Sequence, residues 1–226
     1  MLTYNNYDEI KNNLHIFIAD SNVAKDDRLQ LFVHKTFLNY VTYYGVWFDN
    51  DDEIGIIYIT PYLLKNFDVS LDQLHEDALK CTFDQGMKLI KVIDLISEDG
   101  SVNSKNAPNL LDTKLKPEDL LFQTFMVSNK RNTYGAGLIV IEEVRKMIGD
   151  SLGVDYIAVP SSKHEIIILP DIGMWDANDV EDLTNITVEM NKELPGMEEK
   201  DIMGDTLIWC SKDGKVVETL FEHFNR

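Results

Sequence analysis

Residues 154–170 read VDYIAVPSSKHEIIILP, and the fold turns on how this stretch is read. Two apolar runs, each short enough for a strand, flank the polar segment SSKH. Pro160 and Pro170 delimit the runs. The pattern predicts a β-hairpin with Ser161, Ser162, Lys163 and His164 at its tip.

Working outward, LLFQTFMVS (120–128) and GLIVI (137–141) read as strands around the turn NKRNTYGA. EEVRKMIGDSLG (142–153) reads as a helix ending on Gly153. Downstream, a helix is expected around Asp179–Leu194, and DTLIWCSKDGKVVETLF (205–221) as two strands about Asp213-Gly214, a strong hairpin turn. Upstream, YVTYYGVWFD (40–49) and IGIIYIT (54–60) form another expected hairpin. SLDQLHEDALK (70–80) is a helix capped by Ser70. Helical spacing extends the prediction to helices over 22–38 and 84–95, with a helix start at Pro61 left open. The chain thus reads as about three hairpin-helix units and a C-terminal hairpin. The expected fold class is α+β: antiparallel hairpins alternating with helices packed on one side of the sheet. The Gly-, Pro-, Ser- and Asn-rich stretch 97–117 reads as a loop linker between lobes 1–96 and 118–226, which could still pack as one domain.

Composition narrows the function classes. The chain has 226 residues, 44% of them hydrophobic, enough for one sizeable core or two small ones. Thirty-nine acids against 21 bases leave a net charge of -18. Such a field repels nucleic-acid backbones and anionic membranes, so neither is expected as a direct partner. The runs IIYI and IIIL are far short of a membrane span, and no signal-peptide pattern opens the chain. Cys81 and Cys210 read as free thiols in a reducing compartment, which makes a cytoplasmic location the expectation.

Four candidate sites follow from residue chemistry. Ser162, His164 and Glu165 hold the residue types of a nucleophile, a base and an orienting acid. Three members within four residues fan apart, however, and the G-x-S-x-G elbow is missing. The plainer reading is a turn whose serines bond nearby amides. Asn129 and Tyr134, before Gly135-Ala136-Gly137, form a second candidate. A lone G-x-G entering a strand is weak evidence for a phosphate cradle, and the plainer reading is glycine at positive φ in a turn. If the two turns are neighbours, Asn129, Tyr134, Ser161, Ser162 and His164 make one binding cluster. Thirdly, the five histidines show no H-x-H or H-x-x-x-H spacing and no C-x-x-C occurs, so neither a metal nor another cofactor is expected. His75 is expected on a helix flank at the core edge. Finally, residues 176–205 are dense in carboxylates, with Asp179, Glu181, Asp182 and Glu189 as a candidate interaction face.

The second lobe resembles an uncharacterised bacterial family, domain of unknown function 5688. Ser128, Asn129, Gly135, Ala136, Tyr156, Pro160, Ser161, Ser162, His164, Glu165 and Pro170 carry the likeness, the last seven as a tyrosine followed by a PSSxHE motif. Leu74, His75 and Ala78 match an upstream helix motif, while Tyr134 and Lys163 depart from the usual Asn and Ile. The likeness covers roughly residues 35–222. It brings no activity with it. Its genomic associations imply an accessory role in bacterial mobile elements or phage.

The reading favoured by the sequence is an acidic interaction protein, an accessory or inhibitor acting on a basic protein partner. Unpaired hairpin edges would also permit a homodimer. The alternative is a hydrolase-like enzyme using Ser162 and His164.

Overall fold

The computed structural model describes residues 6–21, 29–50, 53–95, 107–160, 162–193, 204 and 206–217. The chain divides into two compact units, Met1–Gly86 and Met87–Arg226. Both are antiparallel sheets with helices packed on them, so the α+β class holds.

In the first unit, a short helix α1 (Tyr7–Ile10) leads into β1 (Leu14–Asp20), a strand that the sequence pattern does not announce. Every residue of β1 is buried, so the alternation that marks a half-exposed strand is absent. β1 pairs along β3 (Tyr40–Asn50), and the other edge of β3 is shared by β2 (His34–Phe37) and β4 (Glu53–Tyr58). The β3–β4 hairpin falls where it was expected. The expected helix over 22–38 does not: residues 29–31 form a 3-10 turn and 34–37 a strand, while 22–28 lie outside the described residues. Helical spacing of Leu29, Phe32, Val33 and Phe37 is overridden by pairing, since the Val33 N–H donates to the Ile59 carbonyl (2.9 Å) and His34–Phe37 join β3.

α2 (Pro61–Phe67) and α3 (Leu71–Asp84) follow, capped by the Thr60 and Ser70 hydroxyls. α3 buries Leu74, Ala78 and Thr82. It also closes the outer edge of β1: the Ile16 N–H donates to the Thr82 hydroxyl (3.0 Å), and the Gln85 amide donates to the Leu14 carbonyl (3.1 Å). A helix laid over an edge strand removes a template for unwanted pairing.

His75 sits half-buried on the flank of α3, its Nδ1 2.8 Å from the Tyr44 hydroxyl. Burial first, then Lys35, pull its pKa below the ordinary 6.5, while Asp72 and Glu76 oppose the shift. The unfolded chain therefore takes up a proton that the folded ring resists. Its contribution to stability is complete above 6.5 and declines as pH falls from there toward the lowered folded value. His75→Gln should flatten the acid-side loss of the urea midpoint across that window. Identical slopes in the two proteins would contradict this assignment.

In the second unit the strands run in the order β10 (Val216–Val217), β9 (Ile208–Cys210), β7 (Tyr156–Val159), β8 (Ile166–Pro170), β6 (Phe125–Asn129) and β5 (Met87–Lys91), with every pairing antiparallel. β5 (Met87–Lys91) was expected to be helical. Gly86, at φ 77, ends the preceding helix, and a 3-10 turn (Val92–Leu95) follows the strand. The first compact unit ends at Gly86. Part of the expected linker is also packed: Leu111 is buried, and the Leu110 N–H donates to the Leu89 carbonyl (2.8 Å). Residues 96–106 lie outside the described residues.

α4 (Pro117–Leu120) precedes β6 (Phe125–Asn129). The run expected as the partner strand, 137–141, is instead a 3-10 turn over Ala136–Val140 that enters α5 (Glu142–Leu152). Ala136, Gly137, Leu138 and Ile139 are all buried, so no periodicity distinguishes turn from strand there. β7 (Tyr156–Val159) and β8 (Ile166–Pro170) form the predicted hairpin. α6 (Ala177–Glu193) and the hairpin β9 (Ile208–Cys210) and β10 (Val216–Val217) complete the unit.

Helices cover both faces of this sheet, not one. The Tyr156 hydroxyl donates to the Arg145 carbonyl of α5 (2.9 Å). The alternate residues Ile157 and Val159 pack with Val180 and Leu183 of α6, together with Trp209. That double cover explains why all of β7 is buried and why it reads as a continuous apolar run.

Candidate functional site

β8 pairs with β6, so the loop that leaves β6 meets the tip of the β7–β8 hairpin. The two candidate turns are therefore neighbours. Asn129, buried at the end of β6, organises the first. Its side-chain oxygen accepts from the Arg131 N–H (2.9 Å) and the Thr133 N–H (3.3 Å), and its amide donates to the Thr133 carbonyl. One side chain thereby does the work of a neighbouring strand. The loop bends through Asn132 and Tyr134, both at positive φ (54 and 53).

Positive φ was expected at glycine, yet Gly135 has φ -82. Its role is close approach. A Cβ there would lie 2.6 Å from the Ser128 hydroxyl, 2.7 Å from the Asn129 nitrogen and 2.7 Å from the His164 carbonyl. The His164 carbonyl accepts from both the Ser128 hydroxyl (2.7 Å) and the Gly135 N–H (2.9 Å). Gly135→Ala is therefore expected to cost about 1–3 kcal/mol, the usual range for overpacking, read as a lowered urea midpoint. Unchanged stability would mean that the two turns do not meet this closely.

His164 faces the same loop through its ring. Nδ1 accepts from the Tyr134 N–H (3.2 Å) and lies 3.1 Å from the Thr133 hydroxyl. An N–H directed at Nδ1 makes that atom the acceptor, so the proton of the neutral imidazole sits on Nε2. The Tyr134 ring lies against the imidazole at 5.3 Å, and Lys163 Nζ stands 5.1 Å from the centre of the Tyr134 ring.

Ser162 is buried, and its hydroxyl is used locally. It donates to Glu165 Oε1 (2.5 Å) and accepts from the His164 N–H (3.0 Å). The hydroxyl proton is thus directed at a carboxylate, while Nδ1 of His164 is turned to Thr133 and Tyr134. Asn129, Tyr134 and His164 converge, with Ser162 and Glu165 paired on the hairpin side. Ser161 lies outside the described residues. Thr133 was missed by sequence reasoning, since nothing but its place in the loop marks it.

Among the described residues no group of three or more His, Cys, Asp or Glu could hold a metal ion. Cys81 and Cys210 are free, and burial pushes the Cys210 thiol up to about 12, far from thiolate chemistry at neutral pH. Asp179, Glu181, Asp182 and Glu189 are exposed on α6, whereas Val180 and Thr187 are buried. Asp179 is also used within the fold. Its carboxylate accepts from the Asp176 N–H (2.9 Å), and Asp176 in turn accepts from the Asp179 N–H (3.0 Å). This reciprocal pair caps the helix.

The fold and the junction define an α+β protein in which two loops are locked together by short-range polar bonds. Its family model is that of a family of unknown function, DUF5688, matched over residues 1–207, and the chain belongs to this family. The match takes in the N-terminal strand that the sequence resemblance left out and stops short of residue 222. No curated protein and no solved structure matches the chain.

Proposed function

We propose that this protein is an acidic interaction module that binds a basic protein partner. The observation carrying this reading is the sided character of α6. Val180 and Leu183 pack on the sheet, and Asp179, Glu181, Asp182 and Glu189 stand exposed. A net charge of -18 adds a long-range attraction for a basic surface. The narrower form is an inhibitor that occupies a basic groove on its target, in keeping with an accessory role in a bacterial mobile element or phage. We place it in the cytoplasm. Among the described residues no helix is long and apolar enough to cross a membrane.

The hydrolase alternative is less well supported. It needs Ser162 poised on His164, whereas the Ser162 hydroxyl is directed at Glu165 and the His164 Nδ1 at Thr133 and Tyr134.

The test is affinity capture with the full chain at low salt, repeated at increasing ionic strength. Capture of a basic protein that weakens with salt is expected, because exposed charges are screened beyond about 8 Å at physiological salt. Glu181→Lys, Asp182→Lys and Glu189→Lys together should abolish it. Asp179 is kept because it caps the helix. Capture insensitive to both salt and charge reversal would remove the proposal.

A further inference from the structure

α4 and the residues after it, together with the loop between β8 and α6, enclose a groove of about 390 Å³ in the second unit. Leu120, Phe122, Leu169, Met174 and Trp175 line it, together with the carboxylate-bearing Asp179. The Trp175 indole N–H is satisfied internally by the Pro170 carbonyl (3.1 Å). Two of the apolar side chains are held out in solvent: Phe122 is 84% exposed and Met174 60%.

Phe122 stands out because its backbone is also strained. It sits at φ 56, a region that favours glycine or asparagine, in a turn closed by the Gln123 N–H donating to the Leu120 carbonyl (3.0 Å). A large aromatic residue at positive φ with its ring in water stabilises nothing in the isolated chain. Strain of this kind persists where function uses the residue.

Among the described residues that line the groove, the charged one is Asp179, a carboxylate. The stretches that line it, 120–124 and 169–179, contain three acidic residues, Asp171, Asp176 and Asp179, and not one Lys, Arg or His, while Lys116, just before the first stretch, stands 3.7 Å from Glu118. A partner that seats apolar side chains there must bring cations beside them.

We infer that this groove docks a basic amphipathic segment of the partner protein, with a bulky apolar side chain against Phe122, Met174 and Trp175 and with flanking Lys or Arg facing the carboxylates. The inference rests on the function proposed above and gives it a location. Helix-in-groove recognition of this kind depends on a few apolar anchors, and charge supplies the orientation.

The probe is a synthetic helical peptide of Leu, Trp, Lys and Arg with its apolar residues on one face. A scrambled peptide of the same composition is the control. Each is titrated against the full chain, the Phe122→Asn variant and the α6 triple charge reversal. Asparagine tolerates positive φ, so Phe122→Asn should keep the melting temperature while weakening the amphipathic peptide about tenfold or more. Scrambling should weaken it by a similar factor. If Phe122→Asn or scrambling leaves affinity unchanged while charge reversal lowers it, the groove is not the site and the acidic-module reading stands. If charge reversal also has no effect, both fall. If Phe122→Asn instead converts a dimer into a monomer in sedimentation, the occupant is a second copy and the inference is overturned.

Discussion

Gly149→Ala is expected to destabilise the second unit, although helix propensity alone argues the reverse. In the middle of an exposed helix, alanine is worth about 1 kcal/mol more than glycine. Gly149, however, is buried in α5 against the turn of the C-terminal hairpin. A Cβ at this position would lie 2.2 Å from the Lys212 carbonyl oxygen and 2.5 Å from its Cα. These are backbone atoms, so the hairpin as a whole must move. The Gly214 position is also tight, with a Cβ there 2.9 Å from the Lys146 nitrogen. Overpacking against backbone costs about 3 kcal/mol, which outweighs the propensity gain. A net loss of about 2 kcal/mol should appear as a lower midpoint in urea unfolding followed by circular dichroism. A stabilised variant would show that the hairpin does not dock on α5.

Arg145→Ala should cost more. The guanidinium is buried, and burial lowers its pKa from the ordinary value. It donates to three carbonyls: Gly214 through Nε (2.7 Å), and Ile139 (2.7 Å) and Val140 (2.9 Å) through Nη1. One side chain thus ties α5, the 3-10 turn before it and the final hairpin. Truncation removes these charge-assisted bonds and leaves buried acceptors without their donor, for an expected loss of about 3–5 kcal/mol. Arg145→Lys should recover only part of this, because an ammonium lacks the planar fork that reaches acceptors on two sides. If the alanine variant unfolds at the wild-type midpoint, the arginine is not the tie described.

Much of the layout was legible where a local signal stood alone. Ser70 before a periodic apolar stripe, Asp213-Gly214 between two apolar runs, and the run 154–170 each specified their element without tertiary help. Reading failed where burial erased the periodicity. β1 is buried throughout, and the run Ala136–Ile139 is buried in a 3-10 turn. Over 84–95 the positive-φ Gly86 was a stop signal that the apolar spacing concealed.

The site was legible in membership more than in role. Asn129, Tyr134 and His164 meet, a proximity that the sequence leaves conditional on the two turns being neighbours. That His164 would use its ring on the opposite loop, and Ser162 its hydroxyl on Glu165, depends on the β6–β8 register, which local sequence does not carry. Phe122 was read as part of a strand. Its exposure and positive φ are properties of a turn that only the fold reveals.

The strand order of the second sheet also bears on how the protein is made. β7 lies between β8 and β9, and its Tyr156 pairs with Cys210, far later in the chain. During synthesis the β7–β8 hairpin can close as soon as it emerges, but the other edge of β7 stays open until α6 and β9 have followed. A strand of Tyr-Ile-Ala-Val with a bare edge is adhesive in that interval. Non-local pairing of this kind slows folding, so the nascent chain is most exposed to misassembly just before its last hairpin arrives.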